Sequence, residues 1–295
     1  GRVPRTQLWP LRGRQTLAHP APAGVSRGLQ SVRTLLVLTS THESYYADEG
    51  AGIPSSRLLI QPSNQGTAPA ILYSLLRVRE MDPKGVVAFF PSDHHFSDDD
   101  AFSRHIDSAY AAAAFRPEMV ILLGIPPVTP EAAYGWIEPG IPLGGPVPDS
   151  VCRVSRFWEK PSCSVASSLM GRGCLWNSFV MVGYVHAFLN LIRCALPRLL
   201  EAFESIRSSF FTAYERVALC ELYSGIRSTG FSQDVLSVKA DGLAVLRATG
   251  LGWSDLGEPG RVHSILERKA VLTERGFSND FRERDGALAR MTAAG

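Results

Sequence analysis

From Thr34 onward, short uninterrupted apolar runs alternate with longer segments of helical periodicity, and this alternation constrains the fold of the 295-residue chain more than any other feature. Residues 34–39, 57–61, 86–90 and 119–124 are such runs. A strand whose side chains are nearly all apolar has to be covered on both faces. Between the runs, residues 68–81 and 98–115 carry apolar positions at helical spacing. Strand–helix–strand repetition of this kind predicts an α/β fold, with βαβ units building a mostly parallel sheet that has helices on both faces. Ser97 is the expected cap of the helix that begins at Asp98, with Asp100 as its reciprocal partner and the acidic run favouring the helix dipole.

After Pro130 the pattern changes. Residues 134–138, 151–158 and 178–185 mix apolar and polar positions, as strands lining a site do. Residues 187–203 and 210–222 read as helices, and 243–248 as a returning strand. Three regions follow from this reading: an irregular segment 1–33, one domain over 34–265, and a charged C-terminal extension over 266–295.

Composition excludes several classes. A net charge of +2 lacks the basic excess of a dedicated nucleic-acid binder. No run reaches the ~18 apolar residues that a membrane-spanning helix needs, so no membrane partner is expected. Cys152, Cys163, Cys174, Cys194 and Cys220 contain no C-x-x-C pair, which excludes the common zinc and redox motifs. Free thiols in a reducing cytoplasm are the expectation. Oligomeric state is not encoded legibly, which leaves room for a homo-oligomer.

Candidate site residues gather where strands end, the position at which open α/β sheets bind ligands. The run 86–90 leads directly into Pro91-Ser92-Asp93-His94, and an Asp placed there can hold a hard cation through oxygen. Gly252-Trp253-Ser254-Asp255-Leu256-Gly257 offers a second carboxylate in a Gly-flanked turn. Gln61-Pro62-Ser63-Asn64-Gln65-Gly66-Thr67-Ala68-Pro69-Ala70 joins a strand to a helix; Gly66 allows close backbone approach to a planar ligand, and its neighbours can read a base edge. Phe157-Trp158-Glu159-Lys160-Pro161 ends a strand with a carboxylate suited to sugar hydroxyls and an ammonium suited to phosphate. Each motif also has a plain structural reading, as a turn, a cap or a surface ion pair.

Together with Tyr134-Gly135-Trp136-Ile137-Glu138 and Leu175-Trp176-Asn177-Ser178, these motifs resemble, in order, the mannose-1-phosphate guanylyltransferases of the sugar-1-phosphate nucleotidyltransferase family. The resemblance spans about residues 34–262. It implies a Rossmann-like nucleotide-diphospho-sugar transferase fold and the joining of GTP and mannose 1-phosphate to give GDP-mannose and pyrophosphate. By the same resemblance Asp93 and Asp255 hold Mg²⁺ and, with Lys160, serve catalysis. Gln61, Pro62, Gly66, Thr67 and Ala68 line the guanine pocket, Tyr134, Gly135, Glu159 and Asn177 contact the sugar, and Lys160 meets its phosphate. The Thr-Ala-Pro-Ala continuation resembles guanylyl members more than relatives that use other nucleoside triphosphates.

The N-terminal region departs from that pattern. The family opens with a strand and a Gly-rich loop whose N–H groups cradle a triphosphate. Here Leu8-Trp9-Pro10-Leu11 matches the end of the loop, but Arg2, Val3 and Arg5 stand where glycines belong, and no apolar strand precedes them. The expectations are a first strand missing from the sheet and either a truncated N-terminus or a catalytically weak or inactive nucleotide-sugar-binding relative; a nucleotidyltransferase for another sugar 1-phosphate is the other alternative. The Arg-rich, acid-free start also has a transit-peptide composition, although Pro4, Pro10, Pro20 and Pro22 would break an amphipathic helix. Two rival sites carry less: Gly24-Val25-Ser26-Arg27-Gly28 spells an esterase elbow without a preceding strand, and His94-His95 with Asp98–Asp100 would be a crowded transition-metal site.

Overall fold

Strand alternation divides the apolar side chains between two cores. Val120 and Leu122 of one strand pack in the first core, while Ile121, Leu123 and Ile125 pack in the second. Leu243 and Val245 likewise face one way, Ala244 and Leu246 the other. The structure is a computed structural model that describes residues 34–42, 54–145 and 151–256. The segment 1–33, with its Leu8–Leu11 match and its esterase-like elbow, and the extension 266–295 lie outside the described residues.

The described strands are β1 (Leu36–Thr39), β2 (Leu58–Gln61), β3 (Val86–Phe89), β4 (His94–His95), β5 (Val120–Ile125), β6 (Trp136–Pro142), β7 (Val151–Trp158), β8 (Leu175–Tyr184), β9 (Leu243–Arg247) and β10 (Ser254–Asp255). The described α-helices are α1 (Thr67–Met81), α2 (Asp99–Phe115), α3 (Cys163–Gly171), α4 (Val185–Ala195), α5 (Pro197–Ser205) and α6 (Glu215–Gly225). Helices α1, α4, α5 and α6 send their buried residues into the first core. Helices α2 and α3 send theirs into the second, so helices cover both faces of the sheet as expected.

The described residues fall into two units. The larger holds a six-stranded sheet in the order β3-β8-β5-β9-β7-β6, with β6 also meeting the start of β8, and a separate parallel pair β1-β2. The smaller is the antiparallel pairing of β4 with β10.

The Rossmann-like α/β class agrees with the sequence, but the parallel character of the main sheet does not. Only β5–β9 is a parallel ladder; β3–β8, β5–β8, β6–β7, β6–β8 and β7–β9 are antiparallel. The helix-linked strands β3 and β5 do run in one direction, since both oppose β8. β8 is inserted between them, so they are not neighbours. Continuous apolar runs report burial on both faces, which an antiparallel strand sandwiched between helices satisfies equally well.

Other boundaries differ for local reasons. The helix expected over 187–203 is two helices broken at Pro197, which cannot continue α4 but starts α5 in its first turn. The helix expected over 210–222 begins only at Glu215, after a 3₁₀ turn at Arg207–Ser209. Helix α3 gives little signal in the sequence; it buries only Ala166 and Leu169 and is capped by Ser162, so its apolar stripe is short. The cap of α2 is Asp98, whose carboxylate accepts from Ala101 N at 2.7 Å, rather than Ser97, whose hydroxyl reaches only toward Leu251 O. An ionised Asp is the stronger acceptor for an orphan N–H.

Candidate active site

In the smaller unit, β4 pairs with β10 so that Asp255 lies opposite His94 and Ser254 opposite His95. Leu256 N donates to Asp93 O at 2.8 Å, which extends the pairing by one step. Two carboxylates 162 positions apart in sequence, Asp93 and Asp255, are thereby brought onto adjoining backbone segments. Asp93 Oδ1 also lies 4.0 Å from His94 Nε2. The donor set suits a hard divalent cation: Mg²⁺ takes one or two protein carboxylates and completes its shell with water and substrate phosphates. Among the described residues no group of three or more His, Cys, Asp or Glu side chains is arranged for a metal ion.

The residues that the sequence motifs assign to a sugar phosphate all belong to the larger unit. The registers Trp136↔Trp158 and Trp136↔Trp176 place Tyr134-Gly135, Glu159-Lys160 and Trp176-Asn177 at one edge of the sheet. Asn177 N donates to Gly135 O at 2.8 Å. Gly135 is required by close approach: a Cβ there would come to 2.9 Å from the Phe157 ring and 3.1 Å from Glu159 Oε2. Tyr134, Gly135, Glu159 and Asn177 are therefore gathered, and Lys160 follows on an exposed turn at φ +43°. Burial pushes the Glu159 carboxyl up from its ordinary value, against the lowering effect of adjacent Lys160.

A β-bulge aims Asn177. The β5–β8 register shifts between Leu122 and Gly124, and Phe179 takes a left-handed conformation at φ +57°. Ser178 holds the irregularity from inside the core, donating to Leu123 O at 2.7 Å and accepting from Val180 N at 3.3 Å. Asn177 Oδ1 accepts from Phe179 N at 3.1 Å, which directs the donor end of its amide elsewhere. Bulges next to sites commonly re-aim a side chain in this way.

Three rings frame the same edge. Tyr134 stands edge-on to Trp176 (5.2 Å between centroids) and to Trp253 (5.3 Å), and the two indoles are 6.1 Å apart. The sequence motifs contain Trp176 and Trp253 but assign neither a role. An aromatic within two residues of a candidate site residue, Asn177 in one motif and Asp255 in the other, is the signal that could have found them.

The residues that the sequence motifs assign to a base lie at the turn between β2 and α1. Gln61 is buried, and its Oε1 accepts from Tyr223 Oη at 3.0 Å. Pro62 O accepts from Ser40 Oγ at 2.6 Å. Gly66, at φ +87°, lets the backbone run against Thr229, whose carbonyl a Cβ would strike. The close approach expected for a planar ligand is thus used by the chain itself. Thr229 and Phe231 clasp the turn: Thr229 N donates to Gln65 O, Ala68 N to Thr229 O, and Phe231 N to Thr67 Oγ1 at 2.9, 3.1 and 2.8 Å. Thr67 is therefore an acceptor for the clasp and does not cap α1.

Comparison with known proteins agrees with this architecture. The family model described as nucleotidyl transferase matches residues 7–273. The xanthan biosynthesis protein XanB of Xanthomonas campestris pv. campestris (strain ATCC 33913) is 28% identical over 223 residues, 74% of this chain and 45% of that protein. A mannose-1-phosphate guanylyltransferase of Sinorhizobium fredii is 28% identical over 284 residues, 90% of this chain and 54% of that protein. The chain thus spans about half the length of these curated relatives. Among solved structures, one from Thermus thermophilus, described as a mannose-1-phosphate geranyltransferase, superposes with a TM-score of 0.69 at 27% identity, covering 83% of this chain and 67% of that one. With most of its length matched by the family model and its fold shared with such a structure, the chain belongs to the nucleotidyl transferase family.

Proposed function

We propose that the chain carries a sugar-1-phosphate nucleotidyltransferase centre that joins GTP and mannose 1-phosphate to give GDP-mannose and pyrophosphate. The observation that carries this reading is the gathering of Tyr134, Gly135, Glu159 and Asn177 at one sheet edge, in a chain of this family. Such a set offers what a sugar phosphate needs. Glu159 accepts from hydroxyls, the amide nitrogen of Asn177 donates, and the Lys160 ammonium offsets the phosphate charge. The names of the relatives favour guanine and mannose.

A sugar-phosphate oxygen attacks the α-phosphorus in line, forming the new P–O bond as the bond to the pyrophosphate leaving group breaks. No protein nucleophile is required. Both reactants are anions, so the residues' work is alignment and charge compensation. Asp93 and Asp255 would hold Mg²⁺, which when bound supplies positive charge to the phosphates. Pro62, Gly66, Thr67 and Ala68 form the turn that the base would meet, stiffened by the clasp at Thr229 and Phe231.

Pyrophosphate release from GTP and mannose 1-phosphate, measured with and without Mg²⁺, tests the reading. Turnover is expected to need both substrates and the metal, and Asp93→Asn and Asp255→Asn are each expected to lower it by about 10²-fold or more. Wild-type rates in both variants would remove the two carboxylates from the centre. A second reading is favoured by one feature of the sequence, Arg2, Val3 and Arg5 where the family's loop has glycines. It makes the chain a nucleotide-sugar-binding relative without turnover, recognised by GDP-mannose binding with no pyrophosphate release.

A further inference from the structure

A glutamine inside an apolar core must find a partner, because a buried amide left unpaired is strongly disfavoured. Gln61 ends β2 with its side chain on the buried side, next to Leu59 in the alternation, while Ile60 faces out. Its partner comes from far along the chain: Tyr223 of α6, itself almost wholly buried, donates its hydroxyl to Oε1. Among the described residues this is the hydrogen bond that the Gln61 side chain makes. Nε2 is not among the fully buried atoms without a partner, so the N–H₂ end keeps some access to the surface, and it is the end of the amide that can meet a ligand.

Tyr223 is well placed to dictate this orientation. Burial pushes its phenol well above the usual tyrosine range, so it remains an O–H donor wherever the protein is folded. Its ring packs edge-on to Phe203 at 6.0 Å. Helix α6 is fixed at its other end by Glu215, which accepts from Tyr73 Oη, from Arg77 and from Phe211 N. A side chain held by such rigid elements can define which way its partner's amide faces.

We infer that Tyr223 is a positioning residue for base selection: by occupying the carbonyl end of Gln61, it presents two N–H donors to the base. This rests on the reading of the β2–α1 turn as the nucleotide pocket. A base offering an acceptor there, the 6-oxo group of a guanine, gains a hydrogen bond. An adenine would oppose its own amino donor to the amide and leave both unpaired. The discrimination expected from one such mismatch is about 10- to 100-fold. If the amide were free to turn over, its carbonyl could accept from the adenine amino group, and most of that discrimination would vanish.

Calorimetric titration of the full chain with GMP, AMP and mannose 1-phosphate tests the assignment. The wild type is expected to prefer GMP over AMP. Tyr223→Phe keeps the ring and removes the hydroxyl; it is expected to shrink the GMP:AMP ratio about tenfold, partly by strengthening AMP binding, and to leave mannose 1-phosphate binding unchanged. A merely structural role would weaken both nucleotides together. Should Tyr223→Phe fold poorly, Gln61→Met deletes the amide and is expected to erase the preference as well. An unchanged ratio in a folded variant, with the wild type preferring GMP, overturns the role of Tyr223 and leaves the pocket standing. A wild type that binds neither nucleotide, or both alike, overturns the guanine reading and this inference with it.

Discussion

Under the proposed function, burial and sugar binding pull on Glu159 in opposite directions. Burial raises its carboxyl, so the folded chain holds this proton more tightly than the unfolded chain does. For an acid shifted this way, stability is greatest below the unfolded value and falls as pH rises through the folded one. Binding of sugar hydroxyls by acceptance has the opposite requirement, because the ionised group offers more and stronger acceptor sites than the protonated acid. Affinity for the sugar phosphate is therefore expected to improve as pH rises just above the ordinary glutamate range, while thermal stability declines over the same window. Glu159→Gln should flatten both profiles and weaken sugar-phosphate binding at neutral pH. KM and melting temperature measured against pH for both proteins check this, and superimposable profiles would remove Glu159 from the sugar site.

At the scale of elements, the bulge in β8 controls where Asn177 points. Ser178 is fully buried and makes both hydrogen bonds that stabilise the irregularity. Ser178→Ala would leave Leu123 O and Val180 N without that partner, at a cost of ~1–3 kcal/mol. Chemical denaturation should register the loss, and KM for the sugar phosphate should rise with it because Asn177 is no longer held by the bulge. Stability lost without any change in KM would mean that the bulge is structural only. The motif around Asn177 was legible in sequence because its residues are contiguous. The bulge was not, since it depends on Leu123 of another strand, 55 positions away. Nor was the direction of β8, because its apolar residues report coverage on both faces and say nothing of polarity. The clasp on the β2–α1 turn was hidden for the same reason: Thr229 and Phe231 are recognisable as its partners only once α6 has returned the chain to α1.

Across the larger unit, the helical layer over the first core is tied together by charges as well as by apolar packing. Helix α1 is the hub. Arg79 pairs with Glu204 of α5 through two hydrogen bonds of 2.7 and 2.9 Å, and Arg77 pairs with Glu215 of α6 beneath the Phe211 ring. The two ties differ in depth. The side chains of Arg77 and Glu215 are only 10% and 12% exposed, against 20% and 33% for Arg79 and Glu204. Breaking a buried pair strands the remaining charge at a cost of ~3–5 kcal/mol, whereas exposed pairs contribute ~0–1 kcal/mol. Glu215→Gln, which keeps an acceptor for Tyr73 and removes the charge, is therefore expected to destabilise far more than Glu204→Gln. Adding Arg77→Met to Glu215→Gln should recover much of the loss, because no charge is then buried alone. Tyr223 lies on the same helix, so the single variant should also blur base preference, and the double variant should restore it to the extent that it restores α6. Denaturation midpoints and GMP:AMP binding ratios for the four proteins of the cycle provide the measurement. If the Arg77 and Glu215 losses simply add, the pair is not coupled, and the position of α6 must be maintained by the apolar contacts of Leu219 and Tyr223 instead.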